Sequence, residues 1–178
     1  GNALEVRESV EVLAGGGPSD VIELTITLAR EMLDLAGITG VDPAKTLQDG
    51  SAMDVWNRMI RAQGGDPDAP LPTARHIQQV VAEADGTMTE LDALKVGIAA
   101  WRLGAGRARK EDSVSLGAGI EIHAKPGDTV TAGAPLLTLH TDDEPRFATA
   151  LQALEGAIAI GPAGAPVNRL PLILERIN

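Results

Sequence analysis

The chain has 178 residues, 44% of them hydrophobic and 22% charged, the composition of a globular protein of one domain or two small ones. A net charge of -10, with two Trp, one Phe and no Tyr, excludes the basic field and the stacking platforms by which proteins hold nucleic acid. The absence of Cys excludes disulfides, thiolate metal sites and a Cys nucleophile, and no apolar run reaches the roughly 20 residues that span a bilayer; the expectation is a cytoplasmic chain with no nucleic-acid or membrane partner.

Leu4, Val10 and Leu13 predict an opening helix that stops at Gly15-Gly16-Gly17, because three glycines make further helix entropically costly. Pro18 suits the first turn of a second helix, whose Val21, Leu24, Leu28, Met32 and Leu35 recur at helical spacing and predict one apolar face. Gly37 is its expected stop. Ser51 and Asp54 resemble a capping box, and Met53, Trp56, Met59 and Ile60 follow as the stripe of a third helix ending near Gly64-Gly65. The proline-rich stretch Asp66 to Pro72 reads as a connector. The division expected is therefore a helical part over residues 1–65 and a C-terminal α/β domain over 66–178.

Past the connector, His76 to Glu83 and Thr87-Met88-Thr89 predict two short strands around a tight turn. Thr89 and Asp92 repeat the capping-box spacing, and Leu91, Leu94, Ile98 and Trp101 predict the apolar face of a helix ending at Gly104. From Ser113 the period changes to two, through Val114, Leu116, Ile120, Ile122, Val130, Leu137 and Leu139, with turn signals at residues 117–119, 126–128 and 133–135. This predicts a small β-sandwich near 113–141. A last helix with Phe147, Leu151, Leu154 and Ile158 precedes a Gly/Pro-rich tail and an apolar segment, Leu170 to Leu174. The fold class expected is α+β, a helical segment followed by a mixed region containing a small β barrel-sandwich.

Candidate sites are few. His76, His123 and His140 are far apart and lack helical H-E-x-x-H spacing, which argues against a histidine metal centre. Glu121 and His123 would share a strand face, and read as surface neighbours rather than an acid/base couple. Gly15-Gly16-Gly17-Pro18-Ser19-Asp20 opens a helix as a phosphate loop does, yet no Gly-Lys-Ser/Thr follows, and Asp20 and Glu23 already complement the helix dipole. The basic cluster Arg107 to Lys110 reads as a solvated loop after a helix C-terminus. The G-D-x-V-x-x-G-x-P-L pattern from Gly127 to Leu136 is that of biotinyl and lipoyl carrier domains, but no Met-Lys-Met or Asp-Lys-Ala is present, and Lys125 stands ahead of the turn rather than at a tip. The sandwich geometry is expected without cofactor attachment.

Taken together, six stretches resemble one family, the thymidine and pyrimidine-nucleoside phosphorylases: Gly1-Asn2-Ala3-Leu4-Glu5-Val6-Arg7-Glu8, Gly15 to Asp20, Asp49-Gly50-Ser51-Ala52, Ala62 to Pro67, Leu103-Gly104-Ala105-Gly106-Arg107, and the hairpin just described. The resemblance spans nearly the whole chain, and six motifs in order are far more specific than any one.

It implies an enzyme that reversibly converts thymidine and phosphate to thymine and 2-deoxyribose 1-phosphate in pyrimidine salvage, with uridine used by some members. Phosphate and a pyrimidine nucleoside would be the partners of the intact protein, a homodimer is expected, and no cofactor is required for the chemistry. The family's phosphate loop, base-binding residues and catalytic His match nothing in residues 1–178, so the chain reads as a C-terminal fragment, inactive by itself, with no catalytic or substrate-binding residue of its own. Glu8 is the one position carried over, as a ligand of a structural cation completed by upstream carbonyls; the alternative for Glu8 is a surface helix glutamate. Loss of upstream strands would leave an apolar face or a sheet edge uncovered. A non-catalytic, carrier-like or protein-interaction module is the competing reading of the whole chain.

Overall fold

The computed structural model describes residues 2–107 and 109–177. Gly1 of the first motif and Ala108 of the basic cluster lie outside the described residues. The chain divides into a helical unit, residues 5–70 and 170–177, and a sandwich unit, residues 2–4 and 71–169.

The helical unit contains α1 (Ala3–Leu13), most of which belongs to it, α2 (Ser19–Leu35), α3 (Pro43–Gln48) and α4 (Ser51–Ala62). Backbone chemistry explains where these elements end. After α2, the Gly37 N–H donates to the Asp34 carbonyl and the Ile38 N–H to the Leu33 carbonyl, both at 3.0 Å. This is a Schellman motif, which demands a left-handed residue, and Gly37 supplies φ +67° at no Cβ cost. α1 and α4 close in the same way. Helix α3 was not expected from periodicity, being only 6 residues long, but Asp42 caps it by accepting from the Ala44 N–H and Pro43 occupies its first turn. The capping box expected at Ser51 does not form: Gly50 is the cap residue, and the Asp49 carboxylate accepts the Ser51 N–H at 2.9 Å instead.

The apolar face expected on α2 is the one left open. Leu24, Leu28, Met32 and Leu35 are 38%, 52%, 64% and 87% exposed, while Ile26 is buried and Ile22 and Leu33 are half-buried. The helix carries two apolar faces, and counting at helical spacing found only the longer one.

The sandwich unit is α+β. Strands β1 (His76–Val81), β5 (Pro135–Thr141) and β3 (Gly119–Ile122) form one antiparallel sheet in the order β1-β5-β3. Strands β4 (Thr129–Val130), β2 (Gly86–Leu91) and β6 (Ile158–Gly161) form the second, in the order β4-β2-β6. The two sheets do not close into a barrel, and they draw strands from His76 to Gly161, well beyond the 113–141 window. Helices α5 (Ala93–Ala100), which runs on into a π-type turn at Trp101–Ala105, and α6 (Arg146–Leu154) supply the rest. The core is one cluster, with Met88, Leu103, Leu137 and Leu139 fully buried against Phe147 and Leu154 of α6.

Four local expectations are corrected here. Thr89 is not a cap: it lies in β2 and donates to the Ala159 carbonyl of β6, while Asp92 caps α5 by accepting the Lys95 N–H at 3.0 Å. The face of α5 that enters the core is Val96, Ala99 and, past its end, Leu103; Leu94 is 73% exposed. Small residues at 96 and 99 let the helix sit close to its neighbours, which the larger stripe would prevent. Ile158 leaves the last helix, because the chain turns at Gly156 (φ +63°) and Ile158 pairs with Leu91 in the second sheet. Val114 and Leu116 belong to a loop, not a strand.

Leu139→Ala should destabilise the sandwich unit by about 2–5 kcal/mol, the cost of a buried cavity, whereas Leu94→Ala should change it by less than about 0.5 kcal/mol. Urea denaturation of both variants followed by near-UV circular dichroism checks the contrast.

Candidate functional site

The polar groups of the sandwich unit converge at one place, where β5 ends. Thr141, fully buried, donates its hydroxyl to the Leu103 carbonyl at 2.8 Å and accepts the Asp143 N–H. This ties the end of β5 to the π-type turn, in which Gly104 takes φ +108°. Its carbonyl then accepts the Ser115 N–H at 3.0 Å. Asn2, itself at φ +58°, donates its side-chain amide to the carbonyls of Ala105 (3.0 Å) and Ser115 (3.2 Å), and Ala3 donates to Leu116. The first and fifth motifs of the sequence therefore meet.

Asp142 gathers the other side. Its carboxylate accepts the Ser115 hydroxyl and the Arg75 N–H (3.1 Å), with the Arg75 guanidinium 3.7 Å away. The Ser115 hydroxyl first, then the Arg75 amide and charge, hold the Asp142 carboxyl below the usual carboxylate range. Arg146 donates to Asp143 and to the Arg102 carbonyl, both at 3.2 Å, and Arg102 donates to the Thr149 carbonyl at 2.7 Å.

Two open clefts flank this junction, of about 830 Å³ beside Trp101, Arg102 and Gln152 and about 290 Å³ beside Arg75 and Ser115; both are lined by Ser113, Asp143 and Arg146. Cations and carboxylates balance there, with Arg102 and Arg146 already serving backbone carbonyls and Arg75 facing Asp142. No histidine or lysine lines either cleft; the carboxylate beside the Ser115 hydroxyl is that of Asp142, whose depressed pKa makes it a weak base. The hydrogen bonds of the junction tie these loops to the end of β5.

The sequence candidates distribute elsewhere. Glu8 lies exposed on α1. Among the described residues no group of three or more His, Asp or Glu side chains gathers to hold a metal. Glu121 turns to His140 at 2.7 Å and His123 to Thr138 at 2.7 Å, two separate pairs. The glycine turn before α2 has its helix N-terminus occupied from within: Asp20 accepts the Val21 N–H at 3.0 Å, where an anion would have to bind. Arg109 donates its N–H to Asp112 and Arg107 reaches the Lys110 carbonyl, so the basic cluster folds on itself. Lys125 stands at the base of its turn, its N–H on Asp128, and that turn is stitched to β2 by bonds between Gly127, Asp128 and Met88. It is not the tip of a separate hairpin.

This is the arrangement that the comparisons match. The model of the pyrimidine nucleoside phosphorylase C-terminal domain matches residues 87–161, the stretch containing β2, α5, β3 to β5, α6 and β6. Residues 87–161 thus match the C-terminal domain of the pyrimidine nucleoside phosphorylase family. Beyond that domain, a thymidine phosphorylase of Mycobacterium tuberculosis (strain CDC 1551 / Oshkosh) is 55% identical over 177 residues, which is 99% of this chain and 41% of the relative. A pyrimidine-nucleoside phosphorylase of Geobacillus stearothermophilus is 38% identical over 189 residues, 100% of this chain and 43% of the relative. That of Bacillus subtilis (strain 168) is 40% identical over 155 residues, 81% and 36%. The chain thus spans about two fifths of the length of the curated relatives it matches. The domain's two motifs, Leu103 to Arg107 and Gly127 to Leu136, lie at the π-type turn of the junction and at the crossing from β4 of the second sheet to β5 of the first.

The Asp142 contacts stabilise the folded state only while the carboxyl is ionised. Because its folded pKa is depressed, that contribution is complete above the ordinary carboxylate range and disappears as pH falls through the folded value. Asp142→Asn should therefore lower the urea midpoint at pH 7, with the gap to the parent closing as the titration runs below pH 4. At the other strand of the junction, Asn2→Asp aims a carboxylate at two carbonyls and should cost about 1–3 kcal/mol, more than Asn2→Ala; thermal melts of the three chains rank them.

Proposed function

We propose that this chain is the C-terminal part of a thymidine (pyrimidine-nucleoside) phosphorylase, and that it serves that enzyme as scaffold. The observation that carries this reading is the 55% identity to a thymidine phosphorylase across 99% of the chain. At that level of likeness the fold and the role within the enzyme are expected to be shared. The reaction is the transfer of a pentosyl group from the pyrimidine to phosphate: phosphate attacks C1 of the sugar, the bond to the base breaks, and thymine leaves as 2-deoxyribose 1-phosphate forms. The whole enzyme would act in pyrimidine salvage as a cytoplasmic homodimer.

Within this proposal the junction at β5 has a positioning task. It holds the turn Leu103 to Arg107 and the loop 113–118 with backbone and side-chain bonds rather than with a ligand. Glu8 contributes one carboxylate to a structural cation site, which its exposed place on α1 supports, and the remaining ligands come from residues outside 1–178. No residue of the chain attacks substrate or transfers a proton.

The pure chain, given thymidine and phosphate, should release no thymine above the protein-free rate in an absorbance assay that follows conversion of nucleoside to free base. Turnover by the chain itself, retained after rechromatography, would place reacting groups within residues 1–178 and overturn the scaffold reading.

A further inference from the structure

The helical unit holds an apolar surface that nothing within it covers. On α2, Ile22, Ile26 and Leu33 face inward, while Leu24, Leu28, Met32 and Leu35 form a second row on the other side and become more exposed toward its C-terminal end. A helix apolar on two faces is a buried helix. The C-terminal segment does not close the gap: Arg176 reaches Glu31 (2.9 Å) and Asp34 (3.8 Å) beside the row, yet Met32 and Leu35 stay 64% and 87% exposed. Among the described residues, the buried apolar residues of the unit are Val12, Ile26 and Pro43, far fewer than a stretch of this length ordinarily encloses.

We propose that the row Leu24, Leu28, Met32 and Leu35 is the seat on which the rest of a phosphorylase chain docks. Its occupant is the part that the curated relatives possess outside the matched two fifths of their length. This rests on the phosphorylase reading. That length supplies what a second copy of this chain does not, a large covalently linked surface present at one copy per row, so that the face is filled once and stoichiometrically. Glu31 and Asp34, engaged by Arg176, bound the row on one side, so a cover seated on the row leaves that ion pair at its rim.

The test co-expresses this chain with the part of the Mycobacterium tuberculosis thymidine phosphorylase that lies outside the matched residues, the two carrying different tags. Expected is a one-to-one complex by light scattering. Its yield should fall at least tenfold with Leu28→Glu/Met32→Glu or with Leu35→Glu alone, and stay unchanged with Ile77→Glu, which alters an equally exposed residue of the sandwich unit. Far-UV circular dichroism of the isolated variants keeps a loss of helix from passing as a loss of docking. The proposal falls if no complex forms, if the complex ignores both α2 variants, or if the row instead closes on a second copy, seen as a homodimer that Leu28→Glu/Met32→Glu dissolves. Thymine release is read separately. A row-dependent complex without release counts against the phosphorylase reading alone, and release from a complex indifferent to the row counts against the docking alone.

Discussion

Strand β5 carries more of this structure than any other element, because Leu136 through Thr141 are all buried and the strand has no face open to water. Burial on both faces is simple for Leu137 and Leu139 and expensive for Thr138, His140 and Thr141, whose polar atoms lose water. Each is provided with a partner from a neighbouring segment: His123 for Thr138, Glu121 for His140, the Leu103 carbonyl for Thr141. Among the described residues no buried side-chain polar atom lacks a hydrogen-bond partner. Satisfying β5 therefore fixes β3, the π-type turn after α5 and, through Asp142, the loop at Ser115 and the entry to β1 at Arg75. The junction is the consequence of one strand being placed in the middle of its sheet.

The α+β class, most helix ends and the main strands were legible because they depend on local chemistry. Gly37 after an apolar row, or Gly127-Asp128 between two alternating stretches, restricts the backbone without reference to anything distant. What escaped depends on which of two equal local signals meets a tertiary partner. Thr89 and Asp92 are both acceptable caps; β6 takes Thr89 into a sheet and leaves the cap to Asp92. Leu94 and Ala99 are both apolar, and α5 turns the smaller one inward because close packing selects for shape as well as for hydrophobicity. Ile158 fits a helical period from Leu154, but one glycine at residue 156 sends it to a strand.

The candidate site was legible in a different sense. The stretches that carry the family resemblance are mostly chain reversals and helix ends: Gly15 to Asp20 joins α1 to α2, Asp49-Gly50 joins α3 to α4, Gly64-Gly65 closes α4, and Gly104 lies at the end of the π-type turn. Such positions are sharply constrained, since a Cβ at Gly17 would sit 2.7 Å from Val12 and one at Gly65 would meet the Ile60 Cγ2 at 2.9 Å. They can therefore mark a family clearly while contributing no reacting group. The convergence of Asn2 on Ala105 and Ser115 could not be read from spacing, because it joins residues more than a hundred positions apart.

The two units differ in how they meet the cost of order. Fixing each residue's backbone costs about 1–2 kcal/mol of conformational entropy, and burial of apolar surface is the main term that offsets it. The sandwich unit has its contiguous core of Met88, Leu103, Leu136, Leu137, Leu139 and Phe147. The helical unit relies on helix-end hydrogen bonds, exposed ion pairs such as Arg30–Asp42 at 3.1 Å, and the burial of Val12, Ile26 and Pro43. Exposed pairs contribute at most about 1 kcal/mol each, and helix-end bonds terminate helices without enclosing anything. Helices of this length draw their stability from a buried face, and the largest apolar face here is the one that water still reaches. The physical requirement for a cover thus follows from the energetics of the helical unit alone, before any relative is considered.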